Sequence, residues 1–181
     1  EAKSDPQGFV VLDAVVVFNA ADALHGRELW RTDGTAEGTV LVKDIRPGGD
    51  GSNAGGMVVF NGAMFFSATN DSSATELWKS DGSEAGTSLV EELAPGTDGI
   101  DIEESYMAVV GSAVLMHLDD SLLGGELWRT DGTPAGTFLL RDFEPGPDEG
   151  YPGDFVVLGS QLLFSVSTPA EGTELWKSDG T

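Results

Sequence analysis

Carboxylates are the chemically active groups that this chain holds in quantity: 31 Asp and Glu stand against 9 Lys and Arg, a formal charge of −22. Their densest run is Asp98-Gly-Ile-Asp101-Ile-Glu103-Glu104. Hard oxygen donors among carbonyl-rich glycine turns form the ligand set of Ca²⁺, so Asp98, Asp101, Glu103 and Glu104 are candidate calcium ligands. Asp50 and Asp148, each at one fixed offset after a Pro-Gly, are further candidates. The run is not an EF-hand loop, and a solvated acidic face accounts for these acids equally well.

Other chemistry is thinly supplied. Without cysteine there is no disulfide framework, thiolate nucleophile or zinc ribbon. His25 and His117 occupy non-equivalent places, and neither a G-x-S-x-G elbow nor a His-x-x-x-His pair occurs. No catalytic residue is assigned, and no cofactor beyond Ca²⁺ is expected. The charge excludes a nucleic-acid partner, which needs a basic face, and disfavours anionic lipid. No apolar run reaches the roughly 18 residues of a membrane span, so membrane insertion is not expected.

The elements that must carry these groups come from a repeat. Glu-Leu-Trp occurs at Trp30, Trp78, Trp128 and Trp176, with spacings of 48, 50 and 48 residues. A base, a hydroxyl residue and Asp-Gly follow each time, placing Asp33, Asp81, Asp131 and Asp179 at one position of the repeat. Each unit also holds short apolar runs of β-formers, such as Met57–Phe60 and Ala63–Ala68, broken by turn dipeptides such as Asn61-Gly62. The pattern predicts a four-stranded antiparallel meander of about 48 residues, closed by Pro-Gly into the next.

The expected fold class is all-β, a β-propeller of four-stranded blades; a linear stack of sheets is the runner-up. Consecutive apolar residues in the strands predict sheets buried on both faces. Residues 1–181 are one propeller segment with blades at about 8–53, 55–103, 105–152 and 153–181, the last incomplete. Pro6 makes the N-terminal residues a poor closing strand, so the chain reads as a segment of a larger propeller.

The tryptophans are expected to bury their indoles between blades rather than to offer stacking platforms for sugars. The Asp before each Gly is expected to accept N–H bonds from its own turn. The Glu and the base flanking each Leu-Trp (Glu28/Arg31, Glu76/Lys79, Glu126/Arg129, Glu174/Lys177) recur with opposite sign, and cross-strand or inter-blade ion pairing is expected of them. The loops after strands two and four emerge at the same end of a blade, which makes that end anionic.

The motif Glu-Leu-Trp-x-x-Asp-Gly-Thr, in register four times with Ser83 replacing Thr once, resembles the ELWxxDGT repeat of large secreted and cell-surface proteins, mostly microbial. The turn is also similar, in part, to the Asp-box hairpin of sialidase-type propellers, without its closing aromatic. The first resemblance implies an extracellular or cell-surface location. The function expected is a non-enzymatic structural or interaction module (surface protein, adhesin or fibre component) whose partners are other protein chains or copies of itself. The alternative is a calcium-assisted, glycan-binding propeller of lectin type.

Overall fold

The computed structural model describes residues 3–71, 74–93, 100, 106–120, 123–146 and 150–181. They form fifteen strands, with a short 3₁₀ turn at Pro134–Gly136. The first sheet holds β1 (Gln7–Leu12), β2 (Val15–Asp22), β3 (Gly26–Thr32) and β4 (Val40–Lys43). The second holds β5 (Gly55–Phe60), β6 (Ala63–Thr69), β7 (Thr75–Ser80) and β8 (Ser88–Glu91). The third holds β9 (Met107–Val110), β10 (Ala113–Asp120), β11 (Gly124–Thr130) and β12 (Phe138–Arg141). The fourth has three strands, β13 (Tyr151–Leu158), β14 (Gln161–Thr168) and β15 (Gly172–Ser178). Each sheet is antiparallel, with its strands in chain order.

The fold is therefore all-β, as expected, and its regularity follows from local chemistry. The first two strands of the second sheet meet at Asn61-Gly62, both at positive φ (51° and 75°). That is the conformation of a type I′ turn, whose twist matches the strands it joins. The Trp strands share a finer feature. Leu29 faces Lys43 while Trp30 faces Leu41, so Val42 is an extra residue on β4. Val90 and Leu140 occupy the same bulged place in β8 and β12. A bulge turns its strand and re-aims a side chain; here Val42 and Val90 are buried and Leu140 packs on the core of its unit.

The chain divides into two compact units, Glu1–Leu93 and Ala94–Thr181. The core of the first includes Leu12, Val17, Leu29, Val42, Ile45, Met64, Phe66 and Trp78, drawn from both its sheets. The second gathers Ala108, Val110, Leu115, Leu127, Leu162, Phe164 and Val166. Each fully buried Leu, Phe or Met stabilises its unit by about 1.5–3 kcal/mol.

Burial on both faces is found in the second strands of the second and third sheets: Met64 to Ala68 are all buried, and so are Ala113 to Leu118. It does not extend to every strand. Phe9 and Val11 of β1 are exposed, as are Val156, Val157 and Leu158 of β13 and Leu175 of β15. These strands belong to the first and last sheets in sequence, and side chains on alternate sides of a strand share burial only where both sheet faces are covered.

Candidate functional site

The repeated motif builds the same turn in the first three sheets and its opening half in the fourth. In the first, Thr35 donates both its amide (2.9 Å) and its hydroxyl (2.7 Å) to Asp33 Oδ1. Its own hydroxyl oxygen then accepts the Gly38 amide at 2.9 Å, and the Thr39 hydroxyl donates to the Thr35 carbonyl at 2.6 Å. Thr32 closes the network, its hydroxyl 2.7 Å from that of Thr39. Ser80, Asp81, Ser83, Gly86 and Thr87 repeat the pattern, as do Thr130, Asp131, Thr133, Gly136 and Thr137. Asp179 holds Thr181 in the same way.

The hydroxyl and then the amide of the residue two places on hold the carboxyls of Asp33, Asp81, Asp131 and Asp179 below the ordinary aspartate range. These aspartates order their own turns, as expected. The turn is longer than a tight hairpin, however: β3 ends at Thr32 and β4 begins at Val40. Glycine is required at Gly38, Gly86 and Gly136, because a Cβ at any of them would overlap the carboxylate of Asp33, Asp81 or Asp131.

The expected cross-strand or inter-blade ion pairing is not what holds Glu28. Residues three apart on a strand lie on opposite faces, which separates Glu28 from Arg31. Glu28 is fully buried and accepts hydrogen bonds from the amides of Ile45 (3.2 Å), Arg46 (3.0 Å) and Ser52 (2.9 Å) and the Ser52 hydroxyl (2.6 Å). Arg31 instead donates to the Gly82 carbonyl at 3.1 Å. Glu76 accepts the Leu93 amide at 3.0 Å, and Glu126 the Phe143 amide at 2.7 Å. Each carboxylate thus pins the chain leaving its sheet's fourth strand.

Burial pushes all three glutamates upward, and Glu126 reaches about 7. Nearby Asp142 adds to the rise at Glu126, while backbone amides, Phe143 first, oppose it. Among the described residues, one oxygen each of Glu76 and Glu126 is buried without a hydrogen-bond donor, whereas Glu28 uses both of its oxygens.

The loop after β4 does emerge beside the β2–β3 turn. Asn53 donates its amide to the Arg27 carbonyl at 3.1 Å, and a Cβ on Gly26 would come within 2.6 Å of Gly49 O and Gly51 N. Of the candidate calcium ligands, Asp50 lies on this loop, exposed, with its carboxylate 3.5 Å from the Arg46 guanidinium. Asp98, Asp101, Glu103, Glu104 and Asp148 lie outside the described residues. Among the described residues no three His, Cys, Asp or Glu side chains converge as metal ligands.

The indoles of Trp78 and Trp128 are buried, Trp30 is half-buried, and all three have their Nε1 shielded from solvent without a hydrogen-bond partner. Trp176 differs: 36% exposed, it meets Phe143 edge-on (centroids 5.2 Å apart), and the Arg141 guanidinium sits 5.9 Å above its ring.

One pair escapes sequence reasoning. Asp22 accepts the Leu24 and His25 amides through Oδ1, and its Oδ2 lies 2.8 Å from His25 Nδ1. That hydrogen bond raises the His25 imidazole above its ordinary value and lowers the Asp22 carboxyl. The signal in the sequence is Asp-x-x-His within a short turn. His117, by contrast, is buried between Tyr106 and Tyr151, with ring centroids 5.6 and 5.9 Å away, as a histidine of the core.

Among the solved structures similar to this chain are two of puromycin hydrolase. A serine-to-alanine mutant of puromycin hydrolase complexed with PGG superposes with a TM-score of 0.64 at 14% identity, covering 97% of this chain and 27% of that one. Puromycin hydrolase itself gives 0.60 at 15% identity, covering 98% and 27%. The chain spans about a quarter of the length of these proteins. At such identity the likeness shows the fold alone. No family model matches the sequence, and no curated protein matches it.

Proposed function

We propose that the sheets are blades of a β-propeller of the ELWxxDGT-repeat kind, and that the chain is a non-enzymatic structural or interaction module of an extracellular or cell-surface protein. The observation that carries this reading is how the repeated side chains are used. The motif aspartates hold turns, and its first three glutamates pin loops (Glu28, for one, through four hydrogen bonds). A catalytic centre is a unique departure from a repeat, whereas these groups recur as scaffold. The partners of such a module are other polypeptides or further copies of the chain.

The test is a turnover assay against puromycin and a panel of aminoacyl and peptidyl fluorogenic amides, with a glycan array and a Ca²⁺ titration alongside. The folded chain is expected to release no product. Hydrolysis that follows the protein through purification would overturn the non-enzymatic reading, and glycan binding that depends on Ca²⁺ would replace it with the lectin-type alternative.

A further inference from the structure

Of the asparagines in the chain (Asn19, Asn53, Asn61 and Asn70), only Asn61 precedes a glycine. It stands in the turn between β5 and β6, where Phe60 pairs with Ala63, and both turn residues are exposed. Among the described residues neither the Asn61 carboxamide nor the Gly62 amide has a hydrogen-bond partner. A Cβ on Gly62 would meet open space. An electrophilic side-chain carbonyl and the backbone nitrogen that can attack it are thus adjacent, uncrowded and unheld.

The motif's own Asp-Gly bonds present the same two groups in the same order, yet there both are tied down. The hydroxyl oxygens of Thr32, Ser80, Thr130 and Ser178 accept the amides of Gly34 (3.0 Å), Gly82 (3.0 Å), Gly132 (2.9 Å) and Gly180 (3.1 Å). The carboxylates of Asp33, Asp81, Asp131 and Asp179 are held by the hydroxyl two places on, at 2.6 to 2.7 Å. Ring closure at these bonds needs the glycine nitrogen to leave its acceptor and the carboxylate to take up a proton. The hydroxyl donors oppose the second step by keeping the aspartates charged.

We propose that Asn61 is a site of spontaneous covalent modification, deamidated through a succinimide, and that the motif's hydroxyl network shields its Asp-Gly bonds from the same ring closure. The Gly62 nitrogen gives its proton to solvent and bonds to Asn61 Cγ. The bond from Cγ to the side-chain nitrogen breaks, and ammonia leaves with a proton returned from solvent. Water then opens the cyclic imide at either carbonyl, leaving aspartate or isoaspartate at position 61. Glycine favours the closure because no side chain crowds its nitrogen or restricts its backbone. The product carries a further negative charge. In the isoaspartyl form the main chain also gains a methylene within a two-residue turn, which slackens the pairing of Phe60 with Ala63.

The chemistry is local to each turn, so it stands whatever the outcome of the turnover and glycan tests. The experiment is incubation of the folded protein at mildly alkaline pH, followed over time by peptide mapping with mass spectrometry that separates aspartyl from isoaspartyl products. Both products are expected at position 61, with ammonia released in equal amount, before any change at Asn19, Asn53 or Asn70. Gly62→Ala should slow the conversion roughly tenfold, because its methyl group crowds the attacking nitrogen. In Ser83→Ala, with its fold checked by circular dichroism, the Asp81-Gly82 bond should isomerise roughly tenfold faster than in the parent protein, while Asp33-Gly34 is unchanged. Thr133→Ala, read at Asp131-Gly132, takes its place if Ser83→Ala does not fold. The proposal is overturned by an Asn61 that stays intact in the folded protein while the urea-unfolded chain converts, by earlier conversion at another asparagine, or by a rate that Gly62→Ala leaves unmoved. Asp-Gly bonds that isomerise no faster without the hydroxyl would overturn the shielding.

Discussion

Ser52 gives both its amide and its hydroxyl to the Glu28 carboxylate, at 2.9 and 2.6 Å, from 24 residues further along the chain. The same spacing from Glu76 and Glu126 reaches Ile100 and Gly150, neither of which carries a hydroxyl. Among the described residues, one oxygen of each of these two glutamates is buried without a hydrogen-bond donor. The three carboxylates therefore sit at one place in the repeat and differ in what it costs to keep them charged.

That difference predicts opposite responses to neutralisation. Glu28→Gln removes an acceptor and sets an amide N–H₂ against two backbone donors, so it should destabilise the chain by about 2 kcal/mol in urea unfolding. Glu126→Gln should change stability by less than about 1 kcal/mol near pH 5 and become stabilising above pH 7. The sign follows from linkage. With a folded-state value of about 7 against an ordinary 4.5, Glu126 favours folding fully below pH 4.5, and that contribution is lost as the pH rises through 7. Unfolding midpoints from pH 4.5 to 8 for the two variants and the parent protein check this; parallel curves for Glu126→Gln and the parent would refute it.

The turn glycines give a second contrast. Gly86→Ala drives a Cβ into the Asp81 carboxylate and should cost about 2 kcal/mol. Gly49→Ala meets open space and should stay within about 0.5 kcal/mol. Chemical denaturation of the two variants side by side is the measurement.

The tryptophans should separate by burial. Trp78→Ala removes a ring that is 9% exposed and should cost about 3–5 kcal/mol, as large core truncations do. Trp176→Ala, at 36% exposed, should cost less than half as much. Equal losses in thermal unfolding would refute this ordering by burial.

His25 offers a spectroscopic check. Its hydrogen bond to Asp22 should place its NMR titration midpoint above the ordinary histidine value of 6.5, and Asp22→Asn should lower it. Because the folded-state value is raised, this pair favours folding below pH 6.5, and the contribution fades as the pH climbs through the folded-state midpoint. An unmoved midpoint in Asp22→Asn would mean that the 2.8 Å contact does not persist in solution.

What the sequence disclosed and what it hid divide along the range of the interactions. Strand runs and turn dipeptides are local signals, so Met57–Phe60, Asn61-Gly62 and Ala63–Ala68 were legible, and so was the role of Asp33, whose partner is two residues away. Glu28 was not legible, because its partners are mostly backbone amides 17 to 24 residues on, and amides leave no mark in residue identity. Charge complementarity suggested a base on a neighbouring strand or sheet instead. The acidic run around Asp98 was conspicuous in composition, yet composition says nothing about convergence. The pairing of Asp22 with His25 went unread because the repeat drew attention to arrangements that recur, and this one pairs a loop acid with a histidine found at that place in one copy alone.

The hydroxyl network of each of the first three turns joins residues no more than seven positions apart, and each of these copies is complete without help from any other. Such turns can order within the first moments after a stretch of chain leaves the ribosome, ahead of contacts between leaflets. Damage to one copy should accordingly remain a regional fault. A substitution at Asp33 would slacken its own leaflet and the adjoining one, while more distant copies would keep their order, as the links of a chain hold their shape when one is bent.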